Sequence, residues 1–281
     1  MKINNIIIDE IILNALKEDI GTGDITTNAT IPEDKTATGR FIAKEDGIIC
    51  GLDVCERVFK ILNENIEFTA HKKDGENVKT GDVIAIVNGN AKNLLTAERT
   101  AINLLQRMSG IATQTAKAVA DVAGTKAKIA DTRKTTPSLR VLEKYAVKTG
   151  GGTNHRFNLA DGILIKDNHI VAAGGIINAV ERARINAPHT LKIEVECETM
   201  KDVEEAVTAK ADIIMLDNMS NEDMKKAVGY IDGRAVTEAS GNMGDKDLRA
   251  AAETGVDIIS IGALTHSVRS FDISLKFVME K

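Results

Sequence analysis

The chain is 281 residues long, 43% hydrophobic and 27% charged, a length and apolar content that suit one large or two modest packed domains. Its 36 Lys and Arg stand against 41 Asp and Glu, a formal net charge of -5, and an acidic chain with no Trp and 3% aromatics lacks the basic, stacking surface by which nucleic acid is bound. Nor does any window approach the roughly 18 uncharged apolar residues that would span a membrane.

The first residues, MKINNIIIDEIILNALKEDIG, interrupt a short apolar cluster with Asp9 and Glu10 and carry no small-residue cleavage site, so they do not read as a signal peptide. Residues 8–18 follow an amphipathic helical pattern, and EDIGTGDITT after them is a turn-rich connector. Strand-like runs come next, FIAKE after Arg40, GIIC from Gly47, IEFTAH after Asn65 and DVIAIV from Asp82, with the helical stretch LDVCERVFKILN among them. The segment Asp74 to Val87 has the Gly-turned layout of biotinyl and lipoyl hairpins, but none of its lysines stands in an E-x-M-K-M context. A long helical pattern runs from about Leu94 to about Ala120, with Leu94, Glu98, Ile102 and Leu105 on one face and Arg99 at its rim. A carboxylate on an apolar stripe needs a partner. Cys50, Cys55 and Cys197 are scattered, without a C-x-x-C pair, which suits buried, reduced thiols in the cytoplasm.

From Lys128 the rhythm becomes strand then helix: KIAD with a helix from Pro137, ILIK with one near Gly175, LKIEVE with one near Lys201, IIML with one near Asn221, AVTEAS with one near Asp245, then DIISIG. Such alternation predicts a parallel sheet, most economically a barrel-like α/β domain. The final segment alternates again and is expected to return to the first domain. The expected division is therefore 1–112 with 268–281, and 113–267 as the barrel.

Ligands of parallel barrels meet the carboxyl ends of the strands, and the charges of this half fall there. Arg133 and Lys134 follow KIAD, Lys166 ends ILIK, Glu194 and Glu196 alternate through LKIEVE, and Asp217 follows IIML. In LKIEVE, period-two alternation sends Leu191, Ile193 and Val195 to one face and Lys192, Glu194 and Glu196 to the other; charge pointing into a barrel is costly unless paired or bound to ligand. The bland alternative is an exposed edge strand. Thr136 and Pro137 read as the N-cap and first residue of a helix that Gly150–Gly152 stop, which leaves Arg133 and Lys134 unexplained. Between Asp131 and His169 stand seven Lys or Arg and four Asp or Glu, a local cationic excess that includes Arg156 beside His155 in GGGTNHRFNLADG. This suggests a focused anion site. Ser240, Gly241 and Asn242, and Gly262 with Ala263, are small residues after late strands, where backbone N–H groups can approach a phosphate.

In this order the segments EDIGTGDITT, TAERTAINLLQRMSGIAT, DTRKTTPSLR, GGGTNHRFNLADGILIKDNH, LKIEVE, MLDN, EASGN and SIGALTH resemble the quinolinate phosphoribosyltransferase family, also called carboxylating nicotinate-nucleotide pyrophosphorylase. The likeness covers nearly the whole chain; DTRKT with GGGTNHR is highly specific and SIGA is not. It implies an α/β fold, an N-terminal α/β sandwich domain plus a C-terminal open α/β barrel of parallel strands, and a homodimer with shared sites. It also implies a reaction of de novo NAD biosynthesis, in which quinolinate and phosphoribosyl pyrophosphate, with Mg²⁺, give nicotinate mononucleotide, pyrophosphate and CO₂. By the same resemblance Arg133, His155, Arg156 and Lys166 hold the dicarboxylate, and Arg99 reaches in from the neighbouring subunit. Lys134 and Lys166 sit between base and phosphates, and Glu196 and Asp217 lie beside ribose and Mg²⁺, with Glu194 their neighbour. Three rival readings stay open: a same-fold transferase for another base, such as the molybdenum-transport-associated homologues; a Schiff-base aldolase using Lys166; and a binding module resting on the Asp74–Val87 hairpin.

Overall fold

The computed structural model describes residues 3–278. Met1 and Lys2 of the N-terminal reading and residues 279–281 of the returning segment lie outside the described residues. The chain divides into two units, one of residues up to Ala116 with 136–151 and 268 onward, the other of Lys117–Thr135 with Gly152–Ser267.

The first unit holds α1 (Asn5–Ile20), α2 (Ile25–Thr30) and α3 (Leu52–Leu62), and the strands β1 (Thr36–Ala43), β2 (Gly47–Ile48), β3 (Glu67–Ala70), β4 (Asn77–Val78) and β5 (Val83–Asn90). The long helix α4 (Ala91–Asp121) follows. With β12 (Ile273–Val278), strands β1, β5 and β3 form an antiparallel sheet in the order β12-β1-β5-β3, so the C-terminal segment pairs with β1, while β2 and β4 pair separately with each other. Period-two burial along β1, with Ala37, Phe41 and Ala43 inward, sets one face against the core. There Phe41, Phe59 and Phe68 meet at centroid distances of 6.0 to 6.4 Å. On α4, Leu94, Ala97, Ala101, Ile102, Leu105 and Met108 are buried at helical spacing.

The segment 136–151, expected in the barrel, belongs to this first unit. Its helix α5 spans Arg140–Thr149 and begins later than Pro137 because Ser138 has φ +67°, outside the helical region. Thr136 is thus no N-cap: its hydroxyl accepts from Arg107 Nη2 at 2.6 Å and its N–H donates to Glu143 Oε2 at 3.0 Å. Arg107 also donates from Nε to Glu143 Oε1 at 2.8 Å, and Glu143 is fully buried. A second tie joins Tyr145, whose hydroxyl donates to Asp74 at 2.9 Å. The end of α5 is held so closely against α4 that a Cβ at Gly150 would lie 2.4 Å from the Ala112 carbonyl oxygen.

The second unit is a six-stranded parallel sheet of β6 (Lys128–Ala130), β7 (Ile163–Ile165), β8 (Ile193–Cys197), β9 (Ile213–Asp217), β10 (Val236–Ser240) and β11 (Ile258–Ser260), ordered β6-β11-β10-β9-β8-β7. Helices α6 (Asp167–Ala173), α7 (Ile176–Asn186), α8 (Met200–Thr208), α9 (Asn221–Ile231), α10 (Leu248–Ala252) and α11 (Ala263–His266) connect or follow the strands. The two ends of the sheet, β6 and β7, do not pair with each other, so the barrel is open. In-register pairing of Glu196 with Met215, Met215 with Glu238, and Asp217 with Ser240 places these side chains on one face. Among the described residues no helix is long and apolar enough to cross a membrane.

Candidate active site

A cavity of about 520 Å³ lies at the carboxyl ends of the parallel strands of the second unit. Arg133, Lys134, His155, Arg156 and Lys166 line it together with Glu196 and Asp217. The small residues Ser240, Gly241, Asn242, Gly262 and Ala263 complete the wall. Every barrel residue singled out from the sequence is therefore brought to one place except Glu194, which lies beneath, beside His155. Arg99, exposed on α4 of the first unit, is not among the residues lining this cavity. Its neighbour Glu98 is half-buried, which raises its carboxyl, with the Arg99 charge partly offsetting the rise.

Asp131, at the end of β6, explains how two distant motifs come together. It is fully buried, accepting from the His155 N–H at 2.9 Å and from Asn154 Nδ2 at 2.6 Å. Thr153 adds a backbone hydrogen bond to Ile129 at 2.8 Å, so the Gly-rich segment is clipped along β6 rather than hanging as a linker. The other side of the same turn is tied by Thr265, whose hydroxyl donates to the Lys134 carbonyl at 2.8 Å.

The cations are set by opposed fields. Burial lowers the proton affinity of Arg156, the Arg133 charge lowers it further, and Glu194 opposes both. Arg156 is fixed by donating from Nη1 to the Gly162 carbonyl at 2.9 Å. Lys166 Nζ meets Glu196 Oε2 at 2.5 Å, a charge-assisted contact between the ends of adjacent strands β7 and β8. On β9, Asp217 Oδ2 accepts from Asn218 Nδ2 at 2.6 Å. At Gly241, φ is +90° and a Cβ would lie 2.2 Å from Asn218 Oδ1, so this turn accepts only glycine.

Beneath the cations, Glu194 and His155 meet a residue the sequence reading missed, Glu238. Glu238 and Glu194 are 1% and 4% exposed, and their carboxylate oxygens and His155 Nε2 fall within 4.8 Å of one another. His155 Nε2 is 3.1 Å from Glu194 and 3.6 Å from Glu238. His155 Nδ1 accepts the Arg156 N–H at 2.8 Å, so both ring nitrogens are engaged within the protein. Burial first and the Glu194 charge second push Glu238 up, to about 7, while His155 opposes the rise. The missed signal was VTEAS, where Glu238 and Ser240 alternate inward as Glu194 and Glu196 do in LKIEVE.

Such a cavity, lined by cations, by two acids and by glycine-turned loops, suits a ligand carrying carboxylates and phosphates. Comparison with known proteins agrees. Residues 24–109 match the quinolinate phosphoribosyl transferase N-terminal domain and residues 111–276 its C-terminal domain. The chain is 46% identical over 272 residues to a probable nicotinate-nucleotide pyrophosphorylase [carboxylating] of Bacillus subtilis, covering 97% of this chain and 94% of that one. A protein of the same name from Synechocystis is 44% identical over 276 residues, covering 97% and 93%. The crystal structure of NadC from Streptococcus pyogenes superposes with a TM-score of 0.94 at 42% identity, with both chains fully covered. The chain belongs to the quinolinate phosphoribosyltransferase family.

Proposed function

We propose that the chain transfers the phosphoribosyl group of phosphoribosyl pyrophosphate to quinolinate, releasing pyrophosphate and CO₂ and forming nicotinate mononucleotide for NAD biosynthesis. The observation that carries this reading is the Arg133 and Arg156 pair, two guanidinium groups close enough that one depresses the other's proton affinity. Two adjacent carboxylates on one ring neutralise both, and planar guanidinium groups engage carboxylates bidentately.

Lys134 and Lys166 then lie between the base and the phosphates, and the loops at Ser240–Asn242 and Gly262–Ala263 receive the phosphate groups. As the bond from ribose to pyrophosphate breaks and the bond to the pyridine nitrogen forms, positive charge develops on the sugar. Glu196 and Asp217 favour that charge. Once ribosylated, the ring nitrogen carries a positive charge that stabilises, as an ylide, the electron pair left on carbon 2 when CO₂ departs, and a proton then adds to carbon 2 to complete the product. The protein acts chiefly by positioning and neutralisation. Glu196 and Asp217 are hard oxygen donors on neighbouring strands and would hold Mg²⁺, directly or through water. When bound, the ion would neutralise pyrophosphate charge. The same reading makes the enzyme a cytoplasmic homodimer, with Arg99 of a second copy completing each site; its exposure on α4 and the buried, free thiols of Cys50, Cys55 and Cys197 support this.

Product analysis tests the proposal directly. Incubation with phosphoribosyl pyrophosphate, Mg²⁺ and quinolinate should yield nicotinate mononucleotide and CO₂, whereas nicotinate should be a poor substrate because it leaves a cation unpaired. Comparable kcat/KM for the two acids would overturn it.

A further inference from the structure

We propose that Asn218 is a positioning residue for the phosphoribosyl donor: its side-chain amide sets the Asp217 carboxylate and its backbone sets the Ser240–Asn242 turn, so that the acid and the phosphate-receiving loop are held as one piece. The inference rests on phosphoribosyl pyrophosphate as the donor, and it gives Asn218 a part in binding that is exerted through Asp217.

The arrangement starts from the backbone. Asn218 follows β9 with φ +55°, in the left-handed region where most side chains are costly and asparagine is among those best tolerated. Its N–H donates to the Ser240 carbonyl of the adjacent strand β10 at 3.2 Å, one position after Asp217 and Ser240 pair in register. The side chain then has two neighbours. Nδ2 donates to Asp217 Oδ2 at 2.6 Å, and since an ionised carboxylate only accepts, the amide is fixed with its oxygen turned to Gly241. A Cβ at residue 241 would lie 2.2 Å from that oxygen, so the glycine of the loop is shaped to the asparagine beside it.

Charge gives the contact its use. Of the two acids at the strand ends, Glu196 meets the ammonium of Lys166, whereas Asp217 is met by a neutral amide, its one side-chain donor among the described residues. A neutral donor orients a carboxylate without compensating its charge, which leaves that charge for the cationic sugar of the transition state and for a divalent ion carried with pyrophosphate. Asp217, Asn218, Ser240 and Gly241 all line the cavity, so a displaced asparagine would release the acid from the loop at the point where both face the donor. The dicarboxylate clamp at Arg133 and Arg156 shares none of these contacts.

The test is a double-mutant cycle on binding, read by calorimetry. The full-length protein is first saturated with phthalate, which carries two adjacent carboxylates and has no ring nitrogen to be ribosylated, and phosphoribosyl pyrophosphate is then titrated in Mg²⁺. Asn218→Gly keeps the left-handed backbone and removes only the amide, so the Kd for the donor should rise about ten-fold or more, the scale of a hydrogen bond to a charged group. In an Asp217→Ala background the same substitution should change that Kd by less than about two-fold. The Kd for phthalate, measured in the loading step, should be equal in Asn218→Gly and the unmutated protein. Unchanged donor binding in Asn218→Gly, an equal loss with and without Asp217, or a matching loss for phthalate would each overturn the inference. If Asn218→Gly does not fold, the unmutated protein carrying ¹⁵N-labelled asparagine serves instead: a side-chain amide resonance that moves in Asp217→Ala should also move when the donor binds and stay still with phthalate, and the lack of any such resonance would overturn the inference. Failure of the unmutated protein to bind phosphoribosyl pyrophosphate at all would instead overturn the proposed donor.

Discussion

At the scale of single residues, the cations of the site are positioned by buried groups behind them: Asp131 fixes the His155 backbone and Thr265 the Lys134 carbonyl. Arg133→Lys keeps the charge but loses the planar fork, so kcat/KM for quinolinate should fall by about 2 kcal/mol or more in transition-state stabilisation, the scale of a charged hydrogen bond. Steady-state kinetics check it, and near-normal activity with an unchanged KM would remove Arg133 from the carboxylate clamp. The residues at strand ends were legible because a charge directly after an apolar run has few structural excuses. Glu238 was not, since in VTEAS it stands between Thr237 and Ala239, where polar, acidic and small residues blur the inward and outward faces. Asp131 was equally silent in its role. Nothing in DTRKT discloses that the first letter, rather than the cations, holds the Gly-rich segment in place.

At the scale of elements, glycine marks two opposite situations that the same substitution separates. Gly150→Ala would drive a methyl into the Ala112 carbonyl at 2.4 Å, against backbone that cannot rotate away, and should cost roughly 2 kcal/mol or more. Gly229, within α9, has nothing within 4 Å of an added methyl, so Gly229→Ala should stabilise by about 0.5 to 1 kcal/mol through helix propensity. Denaturant titration of both variants checks the pair. Most elements were legible from periodicity: the long α4, the six parallel strands and the returning β12. The exceptions have physical causes. Helix α6 buries none of its residues and so has no apolar stripe to read, and α11 has only four residues. The onset of α5 was misplaced because Thr136-Pro137 looks like a helix start, whereas Thr136 is spent on Arg107 and Glu143 instead.

At the scale of the whole molecule, the separation of Arg99 from the cavity-lining set makes subunit sharing testable. Arg99→Ala and Lys166→Ala should each be inactive alone, while co-expression or co-refolding should restore on the order of one quarter of wild-type activity, since about half of randomly paired dimers are mixed and half of their sites are whole. No recovery, with mixed dimers shown to form, would place Arg99 outside a shared site. The three buried cysteines carry a different consequence. Cys50 and Cys55 lie in the first unit and Cys197 in the second, and burial raises all three thiols, so in the closed state none offers an accessible thiolate. Their modification by a thiol reagent therefore clocks transient opening of the unit that holds them. With the reagent limiting, phthalate or pyrophosphate should slow labelling of Cys197 in proportion to occupancy, because a ligand that binds only the closed barrel lowers the population from which the thiol reacts. Whether Cys50 and Cys55 slow by the same factor reports, without any introduced probe, whether the two units open as one cooperative body or separately.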